Sequence, residues 1–112
     1  MHAPAVRFQF STALGTIDVI QDFSPFAIGN NDTILLDDDI FLGVGALGTL
    51  SAAGFRDGPF ATTLAHRIIY NEVTGAIFFD RDGSGGAFGQ VQFATLVGSP
   101  NNVTNLDFTV IA

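Results

Sequence analysis

The residues best suited to chemistry lie in one short stretch, DRDGSGG at positions 80–86. Asp80, Asp82 and Ser84 fall at i, i+2 and i+4, with Gly85 in sixth place. This spacing matches the first half of a D-x-[DN]-x-[DN]-G calcium loop, whose tight curl turns alternate oxygens onto one point. The second half departs from that pattern. Val91 stands in twelfth place, where an EF-hand has a bidentate Glu, and the flanks read as strands rather than helices. Two readings stay open. In one, Asp80, Asp82, Ser84 and Gly86 begin a calcium site completed by carbonyls or a distant Asp. In the other, the stretch is a glycine-rich turn whose carboxylates cap backbone donors.

Other acidic positions carry less information. Asp18 sits in the middle of a strand-like TIDVI, where Asp is depleted, so it either faces solvent or offers a carboxylate from a strand edge. Asp37, Asp38 and Asp39 are adjacent, and along an extended chain their side chains point apart, so a solvated turn is expected. Catalytic arrangements are thin. His66 is the only plausible base, since His2 lies in the terminal segment, and it reads as a surface or edge histidine. There is no Cys, and no Ser has a nucleophile-elbow context. Acidic pairs are too common here to single out a glycosidase dyad. The chain is expected not to be an enzyme, with a small hydrolase the least supported reading.

Composition narrows the partners. The 112 residues make one domain, with 47% hydrophobic and only 13% charged residues and no cysteine for disulfides or thiolate metal sites. Ten Asp and one Glu face four Arg and no Lys, a net charge of −7. That argues against nucleic acid and against anionic lipid surfaces. No apolar run approaches the length of a membrane-spanning helix, and MHAPAVRFQF lacks the pattern of a cleaved signal peptide. Beginning in mid-pattern, the chain reads as part of a longer protein.

The elements that must position the loop are short. RIIY and AIFF flank the five-residue break NEVTG, and QVQFATLV follows DRDGSGG, so residues 67–97 read as a three-stranded antiparallel meander. VRFQF alternates like a half-buried strand, while TIDVI, TILL and FTVIA are further strand runs. TLSAAGF has room for one or two helical turns with Ser51 near their start, RDGP reads as a turn, and TNLD has the form of a capping box. With no longer helical pattern, the expected class is all-β: a single domain of about eight short strands, mostly antiparallel. Most of the twelve Phe lie in or beside these runs and read as core.

A series of phrases in order resembles a known family. FQFSTALGTIDVIQDFSP, NDTILLDDDIF, LGTLSAAGF, HRIIYNEVTGAIFFDRDGSGG, VQFATL and LDFTVIA together resemble the C-terminal region of hemolysin-type (RTX) calcium-binding proteins. The resemblance implies a β cap following a parallel β-roll of nonapeptide repeats, with calcium as cofactor. It also implies export by type I secretion machinery from a Gram-negative cell, so an extracellular location. Residues 1–36 would be a remnant of the roll edge, 37–97 the cap with its meander, and 98–112 the secretion-signal segment. Asp107, Phe108, Thr109, Val110 and Ile111 fit that signal. The nonapeptide itself is absent, and TALGTIDVI aligns with it only through Asp18 and Ile20. Asp18, Asp22 and Asp32 are therefore weaker calcium candidates, belonging to a last half-turn. The expected partners are the upstream roll and passenger domain. An adhesive or self-associating extracellular module is the alternative, motivated by low charge, abundant Phe and exposed strand edges.

Overall fold

Gly, Asn, Asp and Pro recur before any run can lengthen, so every regular element is short. The structure, a computed structural model, describes residues 7–11, 14–21, 23 and 32–112. Its strands are β1 (Arg7–Phe10), β2 (Asp18–Ile20), β3 (Thr33–Asp37), β4 (Gly48–Thr49), β5 (Phe55–Asp57), β6 (Ile68–Asn71), β7 (Ala76–Phe79), β8 (Val91–Leu96) and β9 (Phe108–Ile111). They form a four-stranded sheet in the order β1-β3-β9-β4 and a five-stranded sheet in the order β2-β8-β7-β6-β5. The fold is all-β and a single domain.

The meander forms as its turn chemistry requires. β6, β7 and β8 pair antiparallel. Gly75 closes the first hairpin at φ +81°, and Asn71 Oδ1 accepts from the Val73 N–H at 3.0 Å. Both capped turns also form, as 3-10 turns. Ser51 Oγ accepts from Gly54 N ahead of Ala52–Gly54. A reciprocal capping box between Thr104 and Asp107 opens Asn105–Asp107.

Beyond the meander, the expectation of mostly antiparallel pairing is corrected. β1–β3, β3–β9, β2–β8 and β5–β6 are parallel, so both sheets are mixed. Hairpin loops give antiparallel neighbours, whereas these strands are joined across the molecule by long connections. RDGP is also corrected: Arg56 and Asp57 lie in β5, and the chain bends only after them.

The path of the first three strands shapes the molecule. β1 lies in one sheet, β2 in the other, and β3 returns to lie parallel beside β1. This is a single excursion from one sheet to the other and back. Its side chains join the common core rather than a core of their own. Ile20, Ile34 and Leu36 cluster with Phe41, Tyr70, Ile77, Phe93, Leu96, Phe108 and Val110, and Phe8 and Phe10 pack against them. Phe41 lies edge-on to Phe79 at 5.3 Å and to Phe93 at 4.9 Å, and Phe93 in turn meets Phe10 edge-on at 5.1 Å. Tyr70 is fully buried, and its hydroxyl donates to Pro100 O at 2.6 Å. Burial, with Asp57 and Glu72 nearby, pushes its pKa well above the usual tyrosine value.

Candidate functional site

The acidic loop leaves β7 at Phe79 and returns to β8 at Val91. Its entry is fixed by Asp80 N donating to Arg67 O at 2.8 Å. Two further features hold it down. Ser84 N donates to Thr63 O at 2.9 Å. Gly83, buried at φ +61°, lies so close to the carbonyls of Thr63 and Leu64 that a Cβ would sit 2.5 and 2.6 Å from them. Only glycine meets both demands.

The segment beneath, residues 62–66, is a turn held by His66. Its Nδ1 accepts from Thr62 N at 3.0 Å and Thr63 N at 3.3 Å. Arg67 fastens the same turn from its other side, donating to the carbonyls of Gly43, Leu64 and His66. Burial, together with the positive charge of Arg56, lowers the His66 pKa. His66 is therefore a turn-organising group rather than a bare edge histidine.

Within the loop, Asp80 and Asp82 are brought together and divide their work. Asp82 Oδ2 accepts from Ala87 N at 2.9 Å and Phe88 N at 3.3 Å, the capping role of a turn carboxylate. Asp82 Oδ1 is buried and has no donor among the described residues. Asp80 is 6% exposed, and its Oδ1 accepts from Asp82 N at 3.3 Å. The two carboxyls are close enough to share a proton, and their pKa values are pushed apart. Burial, then the adjacent Asp82, raises Asp80. For Asp82, burial acts upward but is outweighed by donors led by Ala87 N, so the net direction is down. A cation, or a proton on Asp80, would supply what Asp82 Oδ1 lacks.

Among the described residues, no third acidic or histidine side chain gathers with this pair. Ser84 and Gly86 are exposed. Asp18 is exposed on the edge strand β2 opposite Ala94. Asp32 is buried with partners of its own, and Asp22 lies outside the described residues. Asp107 is buried with its Oδ2 accepting from Thr104 N at 2.8 Å, and Phe108–Ile111 is the interior strand β9.

Among the described residues, the acidic side chains that gather three donor oxygens within 4.8 Å are Asp37, Asp38 and Asp39. The expected turn is present, and it leaves the three carboxylates gathered at the surface. The chain leaves β3 in a turn, with Ile40 N and Phe41 N both donating to Asp37 O, and Asp37 Oδ1 accepting from Asp39 N. The DDD run was the available signal. The turn that gathers it depends on Asp38 N donating to Ile111 O, a contact distant in sequence.

Two surface depressions lie among the described residues. One, of about 360 Å³, is lined by Phe8, Gln9, Phe10, Asp18, Val19, Ile20 and Gln21, the edge strands of the two sheets. The other, of about 210 Å³, adjoins the acidic loop at Arg81 and Phe88. No helix among the described residues is long and apolar enough to cross a membrane. No family model, curated protein or solved structure matches the chain.

Proposed function

We propose that this chain is a non-catalytic capping module of a secreted, calcium-dependent β-roll protein. The observation that carries the reading is the excursion made by β1, β2 and β3. It leaves β1 and β2 as the edge strands of their sheets, consecutive in sequence, with the cleft of about 360 Å³ between them. A preceding coil would add one parallel strand to each edge and fill the cleft with its inward side chains. The resemblance of the ordered phrases to hemolysin-type C-terminal regions points the same way. Unpaired edges of this kind invite aggregation, so a partner that covers them has a clear physical benefit.

Calcium acts in this reading at the Asp80–Asp82 pair, where one cation relieves two crowded carboxylates and gives Asp82 Oδ1 its missing partner. Protein oxygens beyond these two must complete the shell. The role of residues 107–111 as an export signal requires an unfolded chain, because β9 is interior to its sheet. Folding driven by calcium outside the cell would then follow recognition inside it.

Edge chemistry supplies the test. Ile20 O accepts from Val97 N, so Ile20 faces β8, and strand alternation turns the N–H of Val19 to the open side. Val19→Pro removes that donor without touching the β2–β8 ladder. With a block of calcium-binding nonapeptide repeats fused ahead of residue 1, calcium should induce strand structure in the repeats, and Val19→Pro should abolish it. Repeats that order equally well with the proline, or without this chain, would falsify the capping role.

A further inference from the structure

The cleft beside the acidic loop is apolar, yet one cation overhangs it. Its lining includes Phe79, which is 5% exposed, and Ile40, Leu42, Phe88 and Val91. Leu42, Phe88 and Val91 leave 45%, 46% and 42% of their surface open, a costly arrangement for side chains that line a concave site. Arg81 joins that lining, its guanidinium carbon 4.6 Å from the centroid of the Phe88 ring. Among the described residues the stack on Phe88 is its partner, and no carboxylate neutralises it. This contrasts with Arg67, whose guanidinium is consumed by three backbone carbonyls. Phe88 is in turn fixed by the bond from its N–H to Asp82 Oδ2, so wall and cation are held by one loop.

We propose that this pocket binds a small organic carboxylate with an aromatic or compact alkyl body. The apolar body would lie on Phe79 between Leu42 and Val91, and the carboxylate would pair with Arg81. The volume decides the size class. A cavity of about 150 Å³ takes a benzene ring, so about 210 Å³ suits a phenyl group on a short tether and not a long acyl chain. The charge decides the head group. In a chain of net charge −7, a guanidinium without an acidic partner is the feature that attracts an anion, and its planar fork matches a carboxylate. The site is separate from the β1–β2 edges and needs neither the capping reading nor calcium.

The test is an amide NMR titration of the isotope-labelled chain with phenylpropionate, and with phenylpropanol as the neutral probe of the same shape. The acid should move the amides of Leu42, Phe88, Gly89 and Val91 saturably, with a dissociation constant on the order of 1 mM for a ligand this small. The alcohol should bind about tenfold more weakly, the loss expected for a charge-assisted hydrogen bond. Arg81→Gln, at an exposed position, should weaken the acid to the level of the alcohol and leave the alcohol unchanged. Equal affinity for acid and alcohol overturns the proposal. So does an acid affinity unaffected by Arg81→Gln, a set of shifts centred elsewhere, or no saturable shift at all.

Discussion

Gly83→Ala tests the way the acidic loop is held. Two terms add. A residue with a Cβ at φ +61° costs about 1–2 kcal/mol in the left-handed region. The new Cβ would also stand 2.5 Å from Thr63 O and 2.6 Å from Leu64 O, contacts with backbone that no rotamer change relieves. The loop must lift, and the 2.9 Å bond from Ser84 N to Thr63 O is lost, for about 1 kcal/mol more. The total is about 3 kcal/mol, a large share of the ~5–15 kcal/mol that holds a domain together. For a chain of this length that is a fall in Tm of about 10 °C. Gly98→Ala is the reference: Gly98 has φ +87°, but nothing lies within 4 Å of its Cβ position, so it carries the conformational term alone. Urea unfolding of both variants in chelator isolates the difference, about 1–2 kcal/mol. If Gly83→Ala costs no more than Gly98→Ala, the loop is not seated on residues 63 and 64, and the account of its positioning fails.

Two pH-dependent predictions concern the titratable groups around the same loop. Because the folded-state pKa of Asp80 is raised, the native state binds its proton more tightly than the unfolded chain, and stability falls as pH rises above the ordinary value of 3.8. Asp80→Asn, which mimics the protonated form, should therefore raise Tm in chelator at neutral pH, converge with the wild type in acid, and shrink the stabilisation by calcium. A lower Tm in neutral chelator would contradict the crowding of the two carboxylates. His66 has a lowered pKa, so the unfolded chain binds the extra proton and stability declines as pH falls below the ordinary 6.5. Thermal melts of His66→Gln should lose that slope, since an amide oxygen can accept from Thr62 N or Thr63 N at any pH. A wild-type Tm that stays flat as pH falls below 6.5 would contradict the lowered pKa.

The parts of the fold that were legible in the sequence are those fixed by neighbours. NEVTG between RIIY and AIFF states a hairpin, Ser51 and Thr104 announce their turns, and the alternation in RFQF places Phe8 and Phe10 inward. Sheet order was not legible. Nothing local tells Thr33–Asp37 that it will lie between Arg7–Phe10 and Phe108–Ile111, or Asp18–Ile20 that it will pair with Val91–Leu96. β4 and β5 escaped for a second reason: two and three residues long, they have no periodicity to read. In the candidate site, spacing brought Asp80 and Asp82 forward together. It said nothing of the opposite directions of their pKa values, which depend on burial and on donors supplied by Ala87 and Phe88.

The parallel pairings also set a timescale. Ile34 meets Phe108, and Asp18 meets Ala94, across more than seventy residues of chain. Loop-closure entropy must be overcome before such contacts return any stabilisation, so topology of this kind folds slowly, on the order of milliseconds to seconds. The meander can zip early, since its strands are near neighbours, but the two-sheet core closes only when the distant strands arrive. Anything that must grasp the chain extended therefore competes with a slow step rather than a fast one.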